Sequence, residues 1–294
     1  MFNLQKRTNQ WILLLLLAFI WGASFILIKK SLRSFNLYEV AAIRIFIAFL
    51  VLLPVFPFVY KKIKKKHILP LLEVAFIGNA IPMYLFNYAQ QYIDSGLAGI
   101  LNSTTPIFAF LIAVIFFRHK LSLLKIIGLA IGTIGTTGLL LAKGVDNFNA
   151  HLLPLAAIML ATIMYATNVN VVKEYLQEID GITIATYTFV IIGPLALLNL
   201  FYEHTFTKLS DPEVLQNLLY IAILSVFGSV IAVIGINYLI NYSSAVFASS
   251  VTYIIPVFAI LWGLYDNENI TLSQVLWMIV IISGTYLVNK TKME

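Results

Sequence analysis

Polar side chains that could bind a small molecule lie inside the apolar stretches of this sequence. The stretch from Leu97 to Phe117 is long enough to cross a bilayer, and its middle is polar, with Asn102 and Thr105 on one helical face. Pro106 lacks an N–H, so one intrahelical hydrogen bond is missing there. A freed backbone group at membrane depth must be buried in protein or line a wet cavity. We therefore expect Asn102 and Thr105 to bind substrate; the alternative is that they only satisfy the freed carbonyl.

The same pattern returns 150 residues later. Residues 87–111 align with residues 237–261 without a gap and are identical at eight of 25 positions. Chance would give about two identities at ordinary residue frequencies. In this alignment Thr252 and Tyr253 occupy the matching polar place, and Pro256 matches Pro106, which makes the two prolines candidate hinges. Internal similarity in an apolar chain is typical of a transporter built from two repeats.

A polar stripe follows the third apolar span. Tyr84, Asn87 and Tyr88 share one helical face by their spacing, and Asn237 and Tyr238 are the repeat counterparts of the last two. Polar side chains are costly against lipid, so both stripes are expected to face inward as walls of two vestibules that contact substrate. The alternatives are interhelical hydrogen bonds and, for the tyrosines, anchoring at the membrane interface.

Five further candidates lie on the first, third and sixth spans. Trp21 and Tyr165 could stack on a substrate or gate its path, and Gly22 would let another backbone approach closely. Core packing explains these three residues equally well. Asn79 and Asn168 are weaker candidates, because buried asparagines often pair with each other.

Two charged residues lie within apolar spans. Arg44 is the only basic one, and an arginine at the centre of a bilayer costs up to about 3 kcal/mol. Arg44 could attract a carboxylate of the substrate; alternatively it reaches outward to the interface or pairs with Glu39. Glu73 is the only acidic one. It could carry a proton or pair with a lysine of the loop 61–66.

Composition limits the class of protein. The chain has 294 residues, of which 61% are hydrophobic and 11% charged, whereas a soluble domain has about 25% charged residues. This is the composition of an integral membrane protein. The net charge of +6 does not indicate a nucleic-acid partner, because the basic residues lie in short loops between apolar spans. There is no cysteine, the four histidines are scattered, and no acid–base set clusters within the spans, so we expect no metal site, no cofactor and no enzymatic activity.

The apolar pattern predicts an all-α membrane protein with ten transmembrane helices. Placing both termini in the cytoplasm puts 13 of the 19 lysines and arginines on the inner side, as the positive-inside rule requires. Five spans per half is an odd number, so the halves 1–145 and 146–294 should form two inverted five-helix repeats. The predicted spans lie near residues 11–29, 39–60, 68–90, 96–117, 121–142, 151–172, 183–202, 217–238, 245–264 and 272–289.

Three stretches carry a family resemblance: Trp21-Gly22-Ala23-Ser24-Phe25, Arg44-Ile45-Phe46, and the run from Asn87-Tyr88-Ala89 through Ser95-Gly96-Leu97-Ala98 into Thr105-Pro106. In these stretches the chain resembles the EamA branch of the drug/metabolite transporter superfamily, and the resemblance extends over essentially the whole chain. It implies a ten-helix inverted repeat with cytoplasmic termini and export of metabolites such as amino acids.

These observations together predict a secondary transporter in a bacterial-type plasma (inner) membrane. Its expected partners are a small-molecule substrate and the lipid bilayer, and two complete halves in one chain make a monomer sufficient. Within transport, drugs or sugar nucleotides are the alternative substrates. Outside transport, a structural or sensory membrane protein is the alternative, although it would not need polar residues at matched places in both halves.

Overall fold

A computed structural model describes residues 4–93, 95–118, 123–143, 152–208, 211–265 and 271–290. Within these ranges all regular structure is helical, which confirms the all-α part of the predicted fold class. The predicted boundary between the halves, 145/146, lies outside them. The helices are α1 (Arg7–Ser31), α2 (Leu37–Lys62), α3 (Lys65–Ala89), α4 (Ser95–Asn102 and Thr105–Ile115), α5 (Leu123–Lys143), α6 (Leu152–Tyr175), α7 (Gly181–Tyr202), α8 (Pro212–Tyr242), α9 (Ala245–Ser249 and Val251–Tyr265) and α10 (Leu272–Lys290).

Eight of these helices are long and apolar enough to cross a membrane, namely α1 to α4 and α6 to α9. The other two, α5 and α10, contain shorter apolar segments, Leu123–Gly138 and Val275–Gly284. The chain is therefore a multi-pass membrane protein, as its composition indicated. Ten crossings and the inverted orientation of the halves stay predictions.

Polar residues start several helices. Asn36 caps α2 by accepting the backbone N–H of Glu39, whose carboxylate accepts the N–H of Asn36 in return. Asp180 caps α7 and Ser244 caps α9 in the same side-chain-to-backbone manner. Such caps satisfy N–H groups that have no partner in the first helical turn. They explain why short polar stretches between apolar runs are enough to end one helix and begin the next.

Both α3 and α8 contain a π-helical turn at the matching place in the repeat. The turns cover Phe76–Ala80 in α3 and Leu224–Ile231 in α8. Gly78 and Gly228, which lie 150 residues apart as in the sequence repeat, fall within them. A π-helical turn inserts an extra residue and often occurs at functional sites. The repeat therefore extends to backbone conformation as well as to sequence.

The contacts between the halves follow the internal repeat. Each helix pair across the halves has a counterpart formed by the equivalent helices. The first helix of each half packs against the fourth of the other, α1 with α9 and α6 with α4. In the same way α1 contacts α8 and α6 contacts α3, while α2 pairs with α7 and α5 with α10. Helix α1 approaches α9 closely at Gly22, because this residue has no side chain: a Cβ there would lie 2.6 Å from the Cβ of Phe258.

Candidate functional site

A cavity lies between the two halves, lined by α1, α2, α3 and α4 of the first and α6, α8 and α9 of the second. Its volume is about 130 Å³. This is close to the roughly 150 Å³ of an engineered protein cavity that holds one benzene molecule. In this conformation the cavity suits a ligand of only a few non-hydrogen atoms.

Nine of the fifteen residues predicted to bind substrate line this cavity. The first half contributes Trp21, Arg44, Asn79, Asn102 and Thr105. The second half contributes Tyr165, Asn168, Asn237 and Thr252. The fold thus brings together side chains from seven helices that are distant in sequence. Their role in substrate binding stays a prediction.

Three of the other candidates lie on the polar stripe of α3, outside the cavity. The hydroxyl of Tyr84 accepts a hydrogen bond from Asn199 of α7 at 3.3 Å. The amide of Asn87 donates to the carbonyl of Leu37 at 3.2 Å, and the ring of Tyr88 contacts that of Tyr92. The first two contacts are the interhelical hydrogen bonds given above as an alternative.

The remaining three candidates pack between helices. Gly22 allows the close approach of α1 to α9, and the fully buried ring of Tyr253 contacts Gly132 of α5. Tyr238 lies against Gly181 at the start of α7. None of the three is among the cavity-lining residues. A twofold-repeated polar pattern in the sequence therefore marks positions between helices as well as the cavity.

The threonine hydroxyls of α4 and α9 donate to their own backbone. Thr105 donates to the carbonyl of Asn102 at 2.6 Å, and Thr252 donates to that of Ser249 at 2.8 Å. The carbonyl of Asn102 is the one that Pro106, four residues later, leaves without its helical N–H. Pro106 lies just after the break in α4, while Pro256 lies inside the second part of α9. Because each hydroxyl proton is used in this way, Thr105 and Thr252 can offer only oxygen lone pairs to a ligand.

Two amide atoms of the cavity have no hydrogen-bond partner within the described residues. They are Oδ1 of Asn168, an acceptor, and Nδ2 of Asn237, a donor, and both are fully buried. The side chain of Asn168 lies against Gly78 in the π-helical turn of α3, where any larger residue would collide with it. A buried polar group without a partner costs about 1–3 kcal/mol. Neither atom has surface open to the cavity in this conformation, so a ligand would pair with them only after the two side chains turn.

The guanidinium of Arg44 is buried in the cavity wall and held by α8. Its Nε donates to the hydroxyl of Ser229 at 2.6 Å, while the hydroxyl of Ser225 donates to the carbonyl of Arg44. Among the described residues no carboxylate lies within 4 Å of it. The alternative pairing with Glu39 is not formed, because Glu39 binds Lys208. With 9% of its surface exposed, Arg44 also does not reach outward to the interface.

Aromatic side chains complete the wall. The indole N–H of Trp21 donates to the carbonyl of Gly228 at 2.9 Å, which fixes α1 against the π-helical turn of α8. Tyr165 stacks on Phe86, with ring centroids 5.9 Å apart and an interplanar angle of 24°. Sequence reasoning did not single out Gly78, Gly228 or Ser229. The spacing of 150 residues between the two glycines, the same as in the polar repeat, was the signal that could have found them.

Glu73 is unpaired within the part of the chain that the structure describes. Both of its carboxylate oxygens are buried and lack a hydrogen-bond partner. The pairing expected with the loop 61–66 is not formed with Lys62, Lys64 or Lys66, which bind carboxylates of the α6–α7 connection instead. Glu73 is therefore the one membrane-embedded carboxylate for which the described structure offers no counter-charge.

One polar cluster joins the halves where α2 ends and α7 begins. Lys62 donates to Asp180 at 2.7 Å, and Lys66 and His67 both donate to Glu178. Hydrogen bonds from Lys66 and then His67 hold the pKa of Glu178 at about 2, well below its ordinary value. We call this set the basic-end cluster.

A second polar cluster joins the halves where α7 ends and α2 begins. Asn36 donates to Glu203 at 2.7 Å, and the buried carboxylate of Glu39 accepts from Lys208 at 2.8 Å and from Thr205 at 3.1 Å. We call this set the far-end cluster. The two helices therefore run antiparallel, each from one cluster to the other, and Arg44 lies between the clusters.

Metal ligands do not gather in the described residues: no three His, Cys, Asp or Glu side chains lie close enough together to hold an ion. The fold and the cavity together define a multi-pass helical membrane protein with a cavity between two related halves, whose lining is mostly apolar and includes a few polar side chains.

The family follows from sequence comparison. The model of the EamA-like transporter family matches residues 9–141 and again residues 152–290. The chain belongs to this family.

Two relatives that match over most of their length carry transporter names. The chain is 26% identical to an uncharacterized transporter of Archaeoglobus fulgidus over 95% of this chain and 98% of that protein. It is 26% identical to the uncharacterized inner membrane transporter YedA of Escherichia coli K12, covering 93% and 88% of the two chains. Protein PagO of Salmonella typhimurium matches at 26% identity over 70% of this chain and 68% of that protein. A solved crystal structure with 14% identity shares the fold, with a TM-score of 0.71 over 96% of both chains.

Proposed function

We propose that this protein is a secondary transporter that exports small polar metabolites, such as amino acids, by alternating access of its two halves. The observation that carries the proposal is the cavity between the halves, in whose lining Asn168 and Asn237 each carry a buried amide atom that has no partner among the described residues. Unpaired polar atoms in a membrane-embedded cavity are expected where a ligand supplies the missing partners.

The arrangement of the helices supports the inverted repeat on which alternating access depends. The equivalent helices α2 and α7 run in opposite directions between the two polar clusters, as inversion requires. Exchange of the halves also leaves the pattern of helix pairs unchanged. Rocking of one half against the other would open the cavity at one end while the cluster at the other end holds. We infer that the basic end is cytoplasmic, because it carries the lysine-rich loop 61–66.

The alternative substrates fit the cavity less well. No aspartate or glutamate is among the lining residues that the structure describes, so a cationic drug would find no counter-charge from them. A sugar nucleotide is far larger than about 130 Å³ and needs several cations, whereas Arg44 is the single cation among the described lining residues. A purely structural role would not require unpaired polar atoms in a cavity shared by both halves.

The test compares the small molecules that cells release into the medium. Cells expressing the wild type should accumulate at least one polar metabolite outside, whereas Asn102→Leu and Asn237→Leu should not, at equal amounts of membrane-inserted protein. Asn199→Leu is the matched control, because it removes an amide from a membrane helix outside the cavity. Release that equals that of cells lacking the protein would contradict export. Normal release by both cavity variants would contradict the site.

A further inference from the structure

We propose that Arg44 forms a carboxylate-binding subsite in the cavity, so that the ligands are small carboxylates of amino-acid size. This inference rests on the proposed transport function and names the chemical class of its substrate. It depends on three observations, which concern the geometry of the guanidinium, the charge of the lining, and the place of the other polar atoms.

Within the described residues, the guanidinium is hydrogen-bonded at one edge only. Ser229 accepts the Nε proton at 2.6 Å, and Nη2 lies beside Gly228, 3.6 Å from where a Cβ would stand on that residue. Trp21 fixes the same stretch of α8 by donating to the carbonyl of Gly228. The Nη1 and Nη2 groups therefore keep N–H donors for a ligand. A planar fork of this kind binds a carboxylate through two parallel hydrogen bonds.

The described residues of the lining carry one positive charge and no negative one. Among them Arg44 is the only lysine or arginine, and there is no Asp or Glu. An ion buried without a counter-ion is unfavourable, so an anionic ligand completes the site and a cationic one is repelled. The lining therefore ranks ligands of one size: carboxylates bind best, neutral amides more weakly, and amines least.

The other polar atoms suit the remainder of a small amino or hydroxy acid. Asn168 lines the cavity and has a buried amide oxygen without a partner among the described residues, and Thr105 and Thr252 have hydroxyl lone pairs; these are the acceptors that an ammonium or hydroxyl group needs once the side chains turn toward it. The amide nitrogen of Asn237 is a buried donor without a partner in the part of the chain that the structure describes. The volume of about 130 Å³ limits the ligand to a small skeleton.

The subsite occurs in one half only. Aligning the second helices of the two halves places Thr188 of α7 opposite Arg44, and the hydroxyl of Thr188 donates to the carbonyl of Ile184 in its own helix. The cavity thus has one anion-binding side although its frame is repeated. A carboxylate ligand binds in a single orientation for this reason.

The experiment measures thermal unfolding of the purified full-length protein with four probes of similar size at equal ionic strength: sodium lactate, L-alanine, lactamide and ethylammonium chloride. For the wild type, lactate and alanine should raise the midpoint, by about 5 °C at roughly 100 times the dissociation constant. Lactamide and ethylammonium should not raise it. Arg44→Gln should bind lactate at least about 30-fold more weakly, because it removes one partner of a buried charge pair.

Two controls keep the test decisive. Arg33→Gln removes an exposed arginine outside the cavity and should respond to lactate as the wild type does. If Arg44→Gln does not fold, the comparison of lactate with lactamide on the wild type still tests whether the cavity prefers a carboxylate to an amide. A lactamide shift equal to the lactate shift, an unchanged lactate shift in Arg44→Gln, or no shift with either carboxylate would overturn the subsite.

Failure of the subsite can be told from failure of transport. Release of a metabolite without a carboxylate, lost in Asn237→Leu, would overturn the subsite and leave the transporter standing. A shift with lactate that depends on Arg44, in a protein that releases no metabolite, would support the subsite and contradict export.

Discussion

Replacing one lysine in each polar cluster should have very different effects on stability. Lys208→Met in the far-end cluster leaves the carboxylate of Glu39, which has no exposed surface, with only neutral donors, the N–H of Asn36 and the hydroxyl of Thr205. A hydrogen bond to a charged group contributes about 1.5–3 kcal/mol. The side chain of Lys208 is 40% exposed, so we expect a loss of about 2 kcal/mol.

The matched substitution in the basic-end cluster is Lys62→Met. The side chains of Lys62 and Asp180 are 50% and 32% exposed, and Asp180 keeps its hydrogen bonds to Thr183. Ion pairs at this exposure contribute about 0–1 kcal/mol. The two substitutions remove the same charge, and the salt bridges that they break are of nearly equal length. The comparison therefore isolates the effect of burying the carboxylate.

Thermal unfolding in detergent measures the difference. With a shift of about 2–4 °C for each kcal/mol, Lys208→Met should lower the midpoint by about 4–8 °C and Lys62→Met by at most about 3–4 °C. In a Glu39→Gln background Lys208→Met should cost much less, because the buried charge is gone. Equal shifts for the two lysines, or an unchanged effect of Lys208→Met in that background, would refute the reasoning.

Three further predictions concern packing, a buried acid and pH. Gly284→Ala places a Cβ 2.5 Å from the backbone nitrogen of Gly132, so overpacking should lower stability by about 1–3 kcal/mol. Ser283→Ala, at an exposed position, should not lower it. Equal unfolding midpoints for the two variants would contradict the close helix contact. Glu73→Gln should leave the unfolding midpoint unchanged or raise it, since the buried carboxylate accepts no hydrogen bond from the described residues. A fall in the midpoint as large as that of Lys208→Met would contradict this and show that the carboxylate is paired. Because the pKa of Glu178 is lowered to about 2, its stabilising contribution should be complete above its ordinary value of 4.5 and disappear as the pH falls toward 2. The midpoint difference between the wild type and Glu178→Gln, measured from pH 7 to pH 3, checks this and should narrow only below about 4.5.

The class of protein and its repeat were determined by the sequence alone. A composition of 61% hydrophobic and 11% charged residues cannot cover a soluble fold, and the spacing of the apolar stretches predicts membrane helices directly. The identity of Pro106 with Pro256 and of Asn87 with Asn237 in the internal alignment located both polar regions. These properties are local or periodic, so no knowledge of packing was needed to find them.

Which polar residues face the cavity was decided only by the tertiary structure. Asn87 and Asn237 are equivalent in the repeat and are buried to the same degree, yet Asn87 donates to the carbonyl of Leu37, while Asn237 lines the cavity and its amide nitrogen has no partner among the described residues. Arg44 had several possible partners along the chain, and its contact with Ser229 joins residues 185 positions apart. A sequence repeat specifies equivalent helices, but each helix meets different neighbours in a cavity that is not symmetric. Pairing of buried polar groups depends on those neighbours, and therefore on the fold as a whole.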